Sequence, residues 1–331
     1  MSEYNNIPWV EKYRPYNLNN IVAHNDIVNT LNNMIDSNRF PHIILYGPPG
    51  TGKTSLIMAC AKKIFGENYN SMILELNGSD DRGINVVREQ IKEFSFTKSI
   101  FNHINKDNAD YKLVVLDEAD SMTYDAQFAL RRVIEDYTNN TRFCIICNYL
   151  SKIELALQSR CIIFKLGPIE NDLHIKHIKK IAGLEDIKIT DQSITHLVEL
   201  SEGDMRKSIN LLQSLKMSYS QIKDNIITLD LLYNTIGYPH PEKNIEIFNY
   251  ICDSKNDIKE SYNKIIEYKE KNNLAINDIL KEFIKLIIKK NLKNITIILD
   301  KLAHIETRLG GNISNDIHIA AIVAIIKKYI S

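Results

Sequence analysis

Residues 42–54 read HIILYGPPGTGKT, and this stretch decides the fold. HIILY is a short, almost wholly apolar run, the composition of a strand buried on both faces. Behind it, Gly47, Pro48, Pro49, Gly50, Thr51, Gly52, Lys53 and Thr54 satisfy GxxxxGK[ST]. A helical pattern follows at 53–64, which completes the strand–loop–helix setting that the motif needs. The glycines let backbone N–H groups close around phosphate oxygens, and the first helical turn, through Ser55, adds its partial positive charge. Lys53 is placed to reach β and γ phosphates and Thr54 to hold Mg²⁺, so the expected ligand is ATP.

Outward from this loop, short apolar runs alternate with longer amphipathic ones. MILEL is followed by a helical pattern at 83–96, KLVVLD by one at 123–137, and FCIICN by one at 153–158. That rhythm predicts βαβ units and a parallel α/β sheet covered by helices on both sides. In LVVLDEAD, Asp117 and Glu118 fall at the carboxyl end of an apolar strand, the sheet edge where ligands bind. Asp117 suits a magnesium ligand, and Glu118 suits a residue that orients and deprotonates the attacking water. Asp120 reads as a helix cap or a surface charge.

The strand pattern stops after Pro168, and 171–236 reads as short helices. Gly237, Pro239 and Pro241 form a breaker cluster, and everything beyond it reads as helix. Leu274, Ile276, Ile279, Leu280, Phe283, Ile284 and Ile287 trace a core stripe at helical spacing. The last helix, expected at 314–329 behind the cap SND, is apolar nearly all round. It is either the central helix of its domain or a contact to another subunit. The expected domains are therefore an α/β P-loop domain at 1–167, a helical lid at 168–237 and an all-helical domain at 238–331.

The 331 residues carry 41 Lys plus Arg against 41 Asp plus Glu, with 44% hydrophobic side chains. A net charge of zero excludes a polybasic arm and confines any nucleic-acid contact to a local patch. No apolar run has the length of a signal-peptide core or a membrane span, so the expectation is a protein that is not secreted and has no membrane partner. Five scattered cysteines suit reduced, buried thiols. Cys144 and Cys147 form a CxxC, but inside a strand, where side chains three apart point to opposite faces, and no second pair completes a zinc site.

Taken together, PWVEKYRP at 8–15, GPPGTGKT at 47–54, LNGSDDRG at 76–83, LDEAD at 116–120, ICNYLSKI at 146–153, SRC at 159–161 and GDMR at 203–206 carry a resemblance. The chain resembles the AAA+ ATPases and, within them, the small subunits of the sliding-clamp loader, replication factor C. The ICNYLSKI segment is most similar to the ATP-competent type numbered three or five. The resemblance implies that Val10, Tyr13, Arg14 and Val22 line the adenine and ribose side of the site. It implies that Asn148 reads the γ phosphate and that Arg206 reaches the nucleotide from the lid. Arg160 would act in trans, in a neighbouring subunit's site, and Arg82, Arg88 and Lys92 would track DNA. The implied assembly is a nuclear heteropentamer with other replication factor C subunits, acting on a sliding clamp and primer–template DNA, with the 238–331 domain as its collar. Gly78 stands where the family usually has alanine. Two other readings compete. One is a homohexameric AAA+ motor, a helicase or unfoldase, although residues 77–111 hold no aromatic–hydrophobic–Gly pore loop. The other is a scaffold subunit that binds ATP without hydrolysing it, against which Lys53, Asp117 and Glu118 argue.

Overall fold

The computed structural model describes residues 7–79, 84–96, 111–219, 226–290, 294–309 and 315–330. In chain order the elements through the last strand of the main sheet are α1 (Trp9–Lys12), α2 (Asn25–Asp36), β1 (Ile43–Tyr46), α3 (Lys53–Phe65), α4 (Tyr69–Met72), β2 (Ile73–Asn77), α5 (Ile84–Phe96), β3 (Lys112–Asp117), α6 (Tyr124–Tyr137), β4 (Thr141–Cys147), α7 (Leu155–Gln158) and β5 (Ile162–Lys165). Three longer helices follow: α8 (Asn171–Leu184), α9 (Asp191–Ser201) and α10 (Met205–Tyr219). The chain parts into two compact units after Met217.

The sheet of the first unit runs β2-β3-β4-β1-β5, with all four pairings parallel. Its strands alternate between two cores. Ile43, Leu45, Leu113, Val115 and Cys144 pack with α2 and α3, through Leu31, Ile57 and Phe65. Ile44, Val114, Leu116, Phe143, Ile145 and Cys147 pack with α5, α6 and α7, through Ile91, Val133 and Leu157. The two-residue side-chain period of a strand forces this split, and a continuous apolar run is what burial on both faces requires. Cys144 and Cys147 accordingly lie on opposite faces, at 0% and 1% exposure. Burial raises both thiols, that of Cys147 to about 12, so both are inert core groups.

Within this sheet β5 is the strand that the periodicity did not anticipate; beyond Pro168, where no strand was expected, the short strands Lys188–Ile189 and Ile226–Ile227 also form. β5 is four residues long, sits at the sheet edge, and leaves Ile162 and Ile163 about 40% exposed. Pairing with β1 at Ile43–Ile162 makes it a strand, and that tertiary event leaves little trace in IIFK. The helix expected at 153–158 is confined to Leu155–Gln158.

The second unit is mainly helical: α11 (Leu229–Ile236), α12 (Pro241–Cys252), α13 (Ile258–Lys271), α14 (Ile276–Lys290), α15 (Ile295–Arg308) and α16 (Asn315–Ile330). Gly237 takes φ 68° as the C-cap of α11, and Pro241 opens α12 at the first helical position, which is the physical content of the breaker cluster. Asp257 and Glu260 close a capping box at the start of α13. Ile319, Ile322, Val323 and Ile326 of α16 are at most 3% exposed and pack with α12, α13, α14 and α15. The last helix is thus central to its unit. Its opposite side leaves Ile317 61% exposed. The cap expected at Ser314 lies outside the described residues.

Candidate nucleotide site

The loop between β1 and α3 is built on three positive-φ glycines, Gly47 at 148°, Gly50 at 70° and Gly52 at 90°. At Gly47 a Cβ would stand 1.9 Å from the Leu166 carbonyl oxygen, and at Gly50 it would stand 1.8 Å from Asp204 Oδ1. The motif's glycines therefore do two jobs, opening N–H groups inward and letting neighbouring backbone lie against the loop. Lys53, 7% exposed, donates from Nζ to the carbonyl oxygens of Gly47 and Pro48 at 2.7 Å each and to Asn148 Oδ1 at 3.0 Å. Burial pushes its pKa down, opposed by the Asp117 carboxylate. A buried ammonium so placed is stabilised further by an anionic ligand.

Thr54 Oγ1 donates to Asp117 Oδ2 at 2.8 Å. A hydroxyl and a carboxylate in contact at the end of β3 form an all-oxygen donor pair, which fits a hard divalent cation such as Mg²⁺. Glu118 is exposed and held at φ 51°, with its N–H donating to Asp117 Oδ1 at 2.8 Å. This left-handed turn sets the two adjacent carboxylates on different tasks, one toward Thr54 and one beside the cavity. Pro49, Gly50, Gly52, Lys53, Thr54, Asp117, Glu118, Asn148 and Arg206 line this cavity, about 500 Å³ in volume.

A second cleft, of about 720 Å³, adjoins the first at Gly50, Gly52 and Arg206. Val10, Tyr13, Arg14 and Val22 line it, as do Thr51 and Ser55 from the loop. Four further lining residues come from the helical segment: Ile169, His177, Met205 and Ile209. The sequence reading missed these four. His177 is half-buried on α8, and burial lowers its pKa. Met205 lies within GDMR, but no motif marks the other three, and His177 and Ile209 reach the cleft through the way α8 and α10 are laid against the loop. Arg14 is paired with Glu11 at 2.7 Å. Arg206 follows the start of α10, where Asp204 Oδ1 accepts from the N–H groups of Arg206 and Lys207, and Met205 N–H donates to the Gly50 carbonyl at 3.3 Å.

Asp120 is neither a cap nor a free charge. Its Oδ2 accepts from the Tyr149 N–H at 3.3 Å, which fixes the strand end that presents Asn148. Gly78 donates its N–H to the Asp117 carbonyl at 2.7 Å, and a Cβ there would stand 2.7 Å from the Glu118 carbonyl oxygen. A glycine here thus lets the β2 loop lie close to Glu118.

Arg160 lines neither cavity. It sits between α7 and β5, donating to the Ala156 carbonyl at 2.7 Å and pairing with Glu135 of α6, which also accepts from Arg131 at 3.2 Å. On α6, the β4 loop and α7, the side chains of Tyr124, Phe128, Tyr149 and Leu155 are exposed. Of the three DNA candidates, Arg82 lies outside the described residues, as does the side chain of Arg88. Lys92 is half-exposed on α5 beside the fully buried Ile91.

Residues 43–167 match the family model of the ATPases associated with various cellular activities, and residues 239–325 match the replication factor C C-terminal domain. A probable replication factor C subunit 5 of Dictyostelium discoideum is 45% identical over 97% of this chain and 90% of its own. Replication factor C subunit 3 of Schizosaccharomyces pombe is 45% identical over 97% and 91%, and subunit 5 of Homo sapiens is 43% identical over 96% and 91%. Among solved structures, the Thermotoga maritima RuvB Holliday junction branch migration motor aligns at TM-score 0.54 with 17% identity, covering 83% of this chain and 91% of that one. That likeness shows the fold alone. The nucleotide-binding loop in its sheet and the C-terminal match lie in one chain, aligned nearly end to end with these relatives: the chain belongs to the replication factor C subunits of the type numbered 3 or 5, within the AAA ATPase family.

Proposed function

We propose that this chain is the ATP-hydrolysing subunit of a heteropentameric clamp loader, which opens a sliding clamp and loads it on primer–template DNA in the nucleus. One observation carries the reading. A cleft with apolar and aromatic lining and a more polar cavity at the GxxxxGK[ST] loop share Gly50, Gly52 and Arg206, while Arg160 stands outside both. A nucleotide laid across them puts its base among Val10, Tyr13, Val22 and the helices α8 and α10, which act as a lid. Its phosphates fall at Lys53, Asn148 and Arg206. Thr54 and Asp117 would hold Mg²⁺, which neutralises phosphate charge, and Glu118 would orient the attacking water. Arg160, with nothing to do in its own site, is available to a neighbouring subunit, and the exposed Tyr124, Phe128 and Leu155 suit burial there. Arg82, Arg88 and Lys92 are the proposed DNA contacts, and 238–331 the proposed collar.

The competing motor is a ring of identical subunits. The mass of the complex that copurifies with this chain separates the two: five unequal subunits support the loader, six equal ones the motor.

A further inference from the structure

We infer that Glu185 is a positioning residue for the nucleotide site: it fastens the N-terminal segment, which forms one wall of the base-side cleft, to the lid helices, so that this wall moves with the lid. The inference rests on the reading that the nucleotide base occupies that cleft.

Glu185 follows directly on α8, and its side chain is 9% exposed. Its Oε1 accepts from Lys12 Nζ at 2.5 Å and from Tyr13 Oη at 2.6 Å, and its Oε2 accepts from Lys216 Nζ at 2.8 Å. Two of these donors belong to the N-terminal segment and the third to α10. Burial by itself raises the Glu185 pKa, but hydrogen bonds from Lys12, Lys216 and Tyr13 outweigh it and bring the value to about 2. The three donors therefore favour the ionised carboxylate.

A second tie runs in parallel. The Trp9 N–H donates to Gln213 Oε1 at 3.1 Å, and Lys216 Nζ stands 5.3 Å over the Trp9 ring. Among the described residues, long-range hydrogen bonds from the turn at 9–13 run to Gln213 and Glu185, both on the helical side. A few residues on, Leu18 and Ile21 pack instead into the core of α2, α3 and the sheet. Pro15, between these attachments, lines the cleft itself. The segment is thus anchored to the lid at one end and to the sheet at the other, and the nucleotide sits against the span between them. The Tyr13 hydroxyl is already engaged by Glu185, so what Tyr13 offers the base is its ring.

This arrangement makes a specific demand. Removing the Tyr13 hydroxyl should act on nucleotide affinity only through Glu185, so the two changes should not add. The test is a double-mutant cycle on the full chain, measuring the Kd of a non-hydrolysable ATP analogue with Mg²⁺ for wild type, Tyr13→Phe, Glu185→Gln and the double variant. The expected result is about a tenfold loss for each single variant and no further loss in the double. Additive losses, or an unchanged Kd in Glu185→Gln, overturn the inference. If Glu185→Gln does not fold, Tyr13→Phe and Lys12→Gln are read singly, since each removes one donor and leaves the carboxylate paired with Lys216: a weakened Kd in both is expected, and an unchanged Kd in both overturns the inference. Lys53→Ala serves as a control: if it leaves the Kd unchanged, the analogue binds elsewhere and the proposed site fails, independently of Glu185.

Discussion

Asp204 caps α10 directly over Gly50 of the phosphate loop. The Met205 N–H reaches the Gly50 carbonyl at 3.3 Å, and Asp204 Oδ1 occupies the place where a Gly50 side chain would begin, 1.8 Å from the ideal Cβ. The contact fixes where Arg206 enters the cavity, so one glycine sets both the loop's own conformation and the seat of α10.

Gly50→Ala should therefore fail twice. A left-handed φ of 70° costs an alanine roughly 1–2 kcal/mol, and the methyl group would also come within 2.9 Å of the Asp204 Cα, which no side-chain rotation relieves. Nucleotide affinity, read by calorimetry, should fall at least about tenfold. Gly52→Ala, which meets nothing within 4 Å but also has a positive φ of 90°, should keep the contact between the loop and α10 and suffer only the backbone strain.

Lys53 and Glu118 should separate binding from chemistry. Lys53 lies among the acceptors of the loop, whereas the Glu118 side chain is exposed beside the cavity and the residue's hydrogen bonds run through its backbone, the N–H to Asp117 and the carbonyl from Ser121. Lys53→Ala should abolish ATP binding. Glu118→Gln should leave the Kd within about twofold and reduce turnover by at least about a hundredfold, the scale of a lost general base. Near-normal turnover in Glu118→Gln would remove its assignment.

Acid should weaken the first unit through two buried histidines. His42 accepts the Phe143 N–H at its Nδ1, and His174 pairs with Ser208 between α8 and α10. Burial lowers both pKa values from 6.5 to about 4. A depressed folded pKa means that the unfolded chain binds the proton first. The stability from neutral imidazole is complete above pH 6.5 and is lost as pH falls from there to about 4, at roughly 1.4 kcal/mol per pH unit for each group. Chemical denaturation between pH 7.5 and 4.5 should show this slope, and His174→Gln should flatten it.

Much of this was legible in the residues themselves. Continuous apolar strands gave a parallel sheet, and GPPGTGKT and LVVLDEAD placed Lys53, Thr54, Asp117 and Glu118 within one cavity. β5 was not legible, because its identity comes from pairing with β1 rather than from its own pattern. Asp120 was misjudged for a similar reason, since its partner, Tyr149, is 29 residues away. His177, Ile209 and Glu185 left no signal either. They matter because α8 and α10 are set across the loop, and helical periodicity reports which face is buried without reporting what lies against it.

The central claim is that the active site is shared, with Arg160 serving a neighbour. In this chain the guanidinium is parked on Glu135 and the Ala156 carbonyl, away from both cavities. The direct measurement uses purified Arg160→Ala chain, first titrated with ATP and then assembled with wild-type partners and assayed for DNA- and clamp-stimulated hydrolysis. The account predicts unchanged ATP affinity in the chain itself. It also predicts a complex whose total turnover falls only partly, because an arginine finger is worth about 10³ to 10⁵ in rate at one interface while other sites keep theirs. A variant that loses its own ATP affinity, in a complex that retains full turnover, would place Arg160 in its own site and contradict the shared one.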